Sequence, residues 1–281
     1  ETDDAQAILA AYRRYRIAQD KKTLRPLGEA KLLVVGNEAV GKTSLLRYLI
    51  DGKPRDPSEK KTPGIATHEK IETRTWSPDG PSGQVDISLN VWDFGGQEVM
   101  RGTHRFFLTE RSLYLLVLED RRQDDEAAAE TWLKTILNRG GESPIIMVIN
   151  KSDEGKQDLR LNETGLEKAY PNIVDIVRTS CEPDDWAKES IAELRALIAT
   201  TVTDHPQLKH ARDPIPESWL SIKQAVTKMA HERSVLQQAQ FERICEREGE
   251  QGEAITDKAE QRALLHLLHD ATEHGRHEEC V

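Results

Sequence analysis

The sequence that decides the fold is Leu32-Leu33-Val34-Val35-Gly36-Asn37-Glu38-Ala39-Val40-Gly41-Lys42-Thr43, in which an apolar run leads into the pattern G-x-x-x-x-G-K-T. A helical pattern of apolar residues follows from position 45 to position 50. This strand, loop and helix order is the context that a phosphate-binding loop requires, and it disfavours a glycine turn without a ligand. We expect Lys42 to reach the outer phosphates of a nucleotide and Thr43 to bind Mg²⁺. The residues assigned to phosphate binding are Gly36, Asn37, Glu38, Ala39, Val40, Gly41, Lys42, Thr43 and Ser44.

A second motif, Asn150-Lys151-Ser152-Asp153, indicates which base is bound. It follows the apolar run 143–149, which reads as a buried parallel strand, and ligands bind at the carboxyl ends of such strands. A carboxylate at Asp153 can accept from both N1–H and N2–H of guanine, whereas adenine offers no such pair of donors. Asn150 is expected to bridge the loops and the base, and Lys151 to cover the purine face. We therefore expect guanine rather than adenine, although the motif alone also fits a turn that ends a strand.

A third motif, Asp93-Phe94-Gly95-Gly96-Gln97, carries the chemistry. Asp93 is expected to hold Mg²⁺ through water, Gly96 to donate its N–H to the γ-phosphate, and Gln97 to orient the attacking water. The adjacent glycines also permit a hinge that responds to loss of the γ-phosphate. The alternative is a tight turn between a strand and a helix with an incidental glutamine.

The order of these motifs resembles that of a Ras-like G domain over residues 30 to about 204. The sequence W-D-F-G-G-Q-E at 92–98, followed by H-R-F-F at 104–107, is similar to the Roc domain of Roco proteins. In that family a dimerising domain called COR follows Roc. The sequence P-I-P-E-S-W at 214–219 is similar to the entry into COR, and residues 215 to about 270 fit only its beginning.

The resemblance implies further assignments. In the stretch 61–65, Thr62 corresponds to the second protein ligand of Mg²⁺, with Thr67 as the competing candidate. Ser180 and Cys181 correspond to the last loop that contacts the base, where the backbone N–H of Cys181 faces the guanine O6. The resemblance also implies a homodimer through the COR-like region if that region is complete, and an upstream repeat domain outside this chain.

Glu38 departs from the Ras pattern, which has glycine at this position near the γ-phosphate. A carboxylate there repels phosphate unless it turns outward, and its bulk obstructs an inserted arginine. We therefore expect slow intrinsic turnover. No arginine finger is assigned, because each candidate arginine also fits a solvated helix or loop charge.

Composition excludes several classes of function. The 281 residues include 39 Lys and Arg against 49 Asp and Glu, a net charge of -10, which argues against nucleic-acid binding. The longest apolar runs fall far short of the ~20 residues that span a bilayer. Three widely spaced cysteines and no signal peptide favour a reduced, cytoplasmic protein.

Periodicity predicts an α/β fold with a six-stranded, mixed, mostly parallel sheet flanked by helices, and a small helical or winged-helix-like C-terminal segment. The strands include 67–76 and 85–92, expected to form an antiparallel hairpin. We divide the chain into a connector helix at 1–28, a G domain at 29–204, a linker at 205–214, and the start of a COR-like domain with a polar tail at 215–281. The first helix could dock on its own domain or connect to upstream repeats.

Three functions remain open from the sequence. The first is a Mg²⁺-dependent, GTP-hydrolysing molecular switch whose nucleotide state is coupled to assembly through COR. The second is an interaction scaffold that binds GDP or GTP with negligible turnover. The third is an ATP-dependent P-loop enzyme, which the assignment of Asp153 disfavours.

Overall fold

The computed structural model describes residues 2–55, 72–76, 87–94, 108–120, 125–152, 161–232, 237–247 and 254–272. The chain divides into two compact units. Residues 28–211 form one unit, and residues 1–27 together with 212–281 form the other.

A six-stranded sheet forms the centre of the 28–211 unit, with the strand order β3-β4-β2-β5-β6-β7. Five strands are parallel, and the edge strand β3 runs antiparallel to β4. The predicted α/β class, the mixed sheet and the antiparallel edge pair are therefore confirmed. The strands are β2 (Glu29–Val35), β3 (Glu72–Trp76), β4 (Ser88–Asp93), β5 (Ser112–Glu119), β6 (Ile145–Asn150) and β7 (Ile173–Arg178).

Helices bury both faces of this sheet. Alternate residues of β2 divide between two apolar clusters: Leu32 lies in the cluster that includes residues of α5, and Leu33 lies in the cluster that includes residues of α3. A strand covered on both sides needs apolar residues at successive positions, which explains the unbroken run before the phosphate loop. The helices of this unit are α2 (Lys42–Asp51), α3 (Asp125–Gly140), α4 (Glu163–Ala169) and α5 (Asp185–Asp204).

The stretch predicted as a linker, 205–214, contains a 3₁₀ helix at Pro206–Arg212. Leu208 and Ala211 are fully buried in the cluster that includes residues of α5. The backbone N–H of Gly28 donates to the carbonyl of Ala211 at 2.8 Å. Burial of two apolar side chains therefore makes most of this stretch part of the 28–211 unit.

The second unit combines the first helix with the C-terminal helices. Strands β1 (Leu24–Pro26) and β8 (Pro214–Pro216) pair antiparallel. Arg14 forms an ion pair with Glu260, with Nε and Oε1 2.6 Å apart, and the same carboxylate accepts from Trp219 Nε1 at 3.0 Å. The sequence indicated an amphipathic first helix but not its pairing with the last one. The helices are α1 (Thr2–Lys21), α6 (Glu217–Glu232), α7 (Gln238–Arg247) and α8 (Lys258–Thr272).

The predicted helical stripes of the C-terminal region lie in one apolar cluster. Trp219, Ile222, Leu264 and Leu268 are buried there. Among the described residues, no helix is both long and apolar enough to cross a membrane.

Candidate functional site

Those predicted binding residues that the structure describes meet at the carboxyl ends of the parallel strands. The loop 36–41 follows β2, Asp93 ends β4, and Asn150 ends β6. Ser180 and Cys181 follow β7. Open α/β sheets bind their ligands at this edge, so the topology alone brings together motifs that lie far apart in the sequence.

The phosphate loop requires glycine at positions 36 and 41, the two glycines of the G-x-x-x-x-G-K-T pattern. Gly36 has φ +142° and Gly41 has φ +92°, which are backbone conformations that residues with a side chain rarely adopt. A Cβ at Gly36 would also collide with the carbonyl oxygen of Val117. A Cβ at Gly41 would lie 2.5 Å from Asn150 Nδ2. The backbone of the loop therefore lies close to β5 and to Asn150 of the N-K-S-D motif.

Lys42 lies inside this loop and is 7% exposed. Its Nζ donates to the carbonyls of Gly36 at 2.9 Å and Asn37 at 2.8 Å. Burial lowers the pKa of Lys42 to about 8, although the carboxylates of Asp93 and Glu38 oppose the shift. The amine is therefore poorly hydrated and close to two carboxylates, a setting in which bound phosphates would stabilise its charged form.

The structure brings Thr43 and Asp93 together. Thr43 Oγ1 donates to Asp93 Oδ2 at 2.8 Å, although the two residues are 50 positions apart. A hydroxyl oxygen and a carboxylate oxygen are hard ligands of the kind that Mg²⁺ prefers. Across the described residues, no three His, Cys, Asp or Glu side chains converge on a metal site. The hydroxyl of Thr43 and the carboxylate of Asp93 are the groups here whose chemistry fits a hard divalent cation.

Asn150 connects three segments of the site and is 1% exposed. Its Nδ2 donates to the carbonyl of Val40 at 2.9 Å. Its Oδ1 accepts from Thr179 Oγ1 at 3.2 Å and from Cys181 Sγ at 3.7 Å. The predicted bridging role thus corresponds to hydrogen bonds with the phosphate loop and with the loop after β7.

Lys151 forms a second link between the motifs. Its Nζ donates to the carbonyl of Ala39 and to Glu119 Oε1 at 3.0 Å. Both Lys151, with φ +60°, and Ala39, with φ +65°, have the left-handed conformation, which is uncommon outside glycine. These contacts hold the strained backbones of the two loops next to one another.

Ser180 and Cys181 are both buried. Ser180 Oγ accepts from the backbone N–H of Glu182 at 3.2 Å, and the Cys181 carbonyl accepts from the backbone N–H of Arg55 at 2.6 Å. Burial raises the pKa of Cys181 to about 12, an effect that its hydrogen bond to Asn150 opposes. The thiol is therefore neutral.

Three residues support the site without having been assigned to it. Trp132 Nε1 donates to Asn37 Oδ1 at 3.0 Å, Glu119 pairs with Lys151, and Thr179 bonds to Asn150. The helical apolar pattern around Trp132 indicates only a core position, but a buried indole N–H requires an acceptor, and that requirement is the signal that could have indicated its role.

The structure describes only some of the remaining assigned residues. Glu38 is exposed, Ser44 is half-buried, and Val40 is fully buried. Five residues lie outside the described part of the chain: Thr62, Thr67, Gly96, Gln97 and Asp153.

Comparison with known proteins identifies the domain. The family described as "Ras of Complex, Roc, domain of DAPkinase" matches residues 31–153. The solved structure described as Methanosarcina barkeri Roco2 RocCORdC bound to GDP is 34% identical, with a TM-score of 0.67. The alignment covers 88% of this chain and 68% of that chain.

Two curated relatives extend the similarity over most of the chain. A probable serine/threonine-protein kinase of Dictyostelium discoideum, pats1, is 30% identical over 85% of this chain and 8% of its own length. A Roc-COR-CHAT protease of Runella zeae is 28% identical over 79% of this chain and 24% of its own length. The chain thus spans a quarter or less of these two proteins.

Proposed function

Because this chain belongs to the Roco family and carries a Roc domain, we propose that it is a guanine-nucleotide switch that hydrolyses GTP to GDP and phosphate. The observation that carries the proposal is the hydrogen bond between Thr43 Oγ1 and Asp93 Oδ2. It supports the proposal because a hydroxyl that would bind Mg²⁺ and a carboxylate that would hold the ion through water lie beside a buried lysine and a glycine loop, as phosphoryl transfer from a nucleoside triphosphate needs.

In the proposed complex, Lys42 exchanges the carbonyls of Gly36 and Asn37 for phosphate oxygens. The positive charge of Lys42 then stabilises the negative charge that develops on the bridging oxygen as its bond to the γ-phosphorus breaks. Gln97 orients the water whose oxygen forms the new bond to phosphorus, and Gly96 donates its N–H to the γ-phosphate. Bound Mg²⁺, held by Thr43, Thr62 and, through water, Asp93, would neutralise phosphate charge.

On the base side, Asp153 is proposed to select guanine and Lys151 to cover the purine. Asn150 holds the phosphate loop and the loop after β7 at fixed positions through its two hydrogen bonds to Val40 and Thr179. Ser180 and Cys181 complete the base site with backbone groups. Loss of the γ-phosphate would release Gly96, and the hinge at 95–96 would then transmit the nucleotide state.

The assembly is a further part of the proposal. The resemblance to Roco proteins extends from the G domain into the start of a COR-like region. We infer that the nucleotide state controls homodimerisation through COR, provided that the rest of COR is present. An upstream repeat domain is a proposal that rests on the same resemblance, and a cytoplasmic location is one that rests on the widely spaced cysteines.

A binding scaffold with negligible turnover is the second candidate. Glu38 favours it, because its carboxylate acts electrostatically on Lys42 and partly offsets the lowering of the Lys42 pKa by burial. A negative charge at this position opposes the approach of the γ-phosphate. Slow hydrolysis is therefore expected in either case, and the two candidates differ in whether turnover can be measured.

Single-turnover hydrolysis of GTP and ATP by the purified chain tests the proposal. Lys42→Ala and Gln97→Leu should each abolish turnover, while Gln97→Leu should still bind GTP. A rate that rises with protein concentration would implicate a second copy in catalysis. GTP binding without turnover would favour the scaffold, and a preference for ATP would contradict the assignment of Asp153.

A further inference from the structure

The sheet of the 28–211 unit has an open edge at β7. Within the described part of the chain, no strand pairs with the outer side of β7. The backbone N–H of Thr179 donates to Ile149 on the β6 side, so alternation along the strand directs the N–H of Ile176 outward. That N–H donates to Asp175 Oδ1 at 2.7 Å. The Asp175 side chain therefore accepts from an outward-facing N–H group that could otherwise donate to a further strand.

A groove of about 330 Å³ runs between this edge and α5. Trp186, Glu189 and Glu193 line it from the helix at spacings of three and four residues, so they share one face of α5. Asp175 and Arg178 line it from the strand. Trp186 is only partly buried, which leaves part of its ring available to a ligand.

The charge of the groove is predominantly negative. Arg178 is already paired with Glu163, with Nη2 and Oε1 2.8 Å apart. Glu189 and Glu193 make no ion pair with another described residue. Carboxylates beside an indole ring suit the ammonium or guanidinium group of a basic side chain.

The two faces of β7 require different partners. Asp175 and Val177 share the face toward α5, where the acidic residues lie. On the opposite face, Ile176 is half-buried and packs against the apolar cluster that includes residues of α3. A strand added to this edge would therefore present basic side chains on one face and apolar side chains on the other.

We propose that the groove between β7 and α5 binds an extended segment of a partner protein in which basic and apolar residues alternate. The segment adds to β7 as a further strand, and main-chain hydrogen bonds supply affinity while the groove selects side chains. Asp175 leaves the Ile176 N–H, which then donates to a carbonyl of the segment. The freed carboxylate pairs with a basic side chain. Until that exchange occurs, Asp175 protects the open edge from unspecific pairing.

The first test titrates a synthetic peptide, acetyl-Gly-Arg-Val-Arg-Val-Arg-Gly-amide, into the ¹⁵N-labelled full chain at low salt. Saturable shifts of the Ile176 amide and of neighbouring β7 amides are the expected result. A peptide of the same charge in which every arginine and valine is N-methylated cannot complete the ladder in either strand direction and should bind about tenfold more weakly. Equal binding of both peptides, or shifts confined to other surfaces, would overturn the proposal because charge alone would then explain the binding.

The second test changes the groove. Glu189→Lys should weaken peptide binding about fivefold or more, because repulsion replaces attraction. Asp204→Lys makes the same charge change at the exposed end of α5, outside the groove, and should leave binding unchanged. GDP affinity should be equal in both variants, which shows that the fold is intact and separates this surface from the nucleotide site. Self-association of the wild-type chain that Glu189→Lys abolishes would identify a second copy as the occupant and overturn the proposed partner.

Discussion

The base side and the phosphate side of the site are held together in different ways. On the base side, Asn150 and Lys151 donate to carbonyls of the phosphate loop, and Thr179 donates to Asn150. These bonds involve protein groups alone and can persist when nucleotide binds. The base side is therefore pre-organised, and its contribution to affinity depends on keeping existing bonds.

On the phosphate side, the same kinds of group have partners that a ligand would replace. Lys42 donates to two loop carbonyls, and Thr43 donates to Asp93. Nucleotide binding requires these bonds to be exchanged for bonds to phosphate and metal. Substitutions on the base side should therefore weaken nucleotide binding equally with and without Mg²⁺. Substitutions on the phosphate side should weaken nucleotide binding to an extent that depends on Mg²⁺ or pH.

The largest effect is expected for Asp93→Asn, which removes a charge from the proposed metal site. Loss of a group that supports a metal typically costs about 10- to 100-fold in metal affinity. The affinity for GTP in Mg²⁺ should fall by a similar factor, while the affinity in the presence of a chelator should be nearly unchanged. Asp204→Asn removes a carboxylate from the end of α5 and serves as the control. An equal loss with and without Mg²⁺ would contradict the metal assignment.

The next effect is expected for Asn150→Ala on the base side. The substitution leaves the buried Val40 carbonyl without its donor, and such a group costs about 1–3 kcal/mol. A phosphate loop that is no longer held by this bond must be ordered by the nucleotide, so GDP affinity should fall about tenfold, equally with and without Mg²⁺. Asn172→Ala removes a hydrogen bond to the Ser143 carbonyl at the other end of the sheet, so it should affect stability alone. Isothermal titration calorimetry and thermal melting together would separate the two outcomes.

The sequence predicted the site to the extent that its parts are local motifs. The phosphate loop is decided by glycine spacing and by the helix that follows, so its residues could be assigned without a structure. The hydrogen bond between Thr43 and Asp93 could be expected once both motifs were read as ligands of one ion. The pairing of Lys151 with Glu119 could not, because it depends on the register between β5 and β6.

Long-range packing explains what the sequence left open in the second unit. Arg14 and Glu260 are separated by 246 positions, and no sequence motif links them. The pairing of α1 with α8 buries apolar stripes that each helix shows on its own, but such stripes do not identify their partners. The predicted linker likewise contains no motif that identifies its partners, and the burial of Leu208 and Ala211 makes it part of the core.

A pH dependence is expected on the phosphate side alone. In the free protein, burial lowers the pKa of Lys42 to about 8, whereas phosphates in the complex favour the protonated amine. Binding above this pH therefore takes up a proton, and GDP affinity should fall as pH rises through 8, approaching about tenfold per pH unit. Lys42→Arg keeps its positive charge above pH 8, so its GDP affinity should not fall for this reason. Titration of the nucleotide itself affects both proteins equally. A parallel decline in the two proteins would contradict the assignment.

The smallest effect is expected for Trp132→Phe, which tests whether α3 positions the phosphate loop. Phenylalanine keeps an aromatic ring in the core but removes the Nε1–H that donates to Asn37 Oδ1. Loss of one such bond costs about 1 kcal/mol, so GDP affinity should fall about fivefold. Trp219→Phe removes an equivalent indole bond to Glu260 in the other unit, and it should leave GDP affinity unchanged. Because the backbone carbonyl of Asn37 accepts a hydrogen bond from Lys42 Nζ, a loop loosened by Trp132→Phe should also change the pH dependence of binding, which Trp219→Phe should not do.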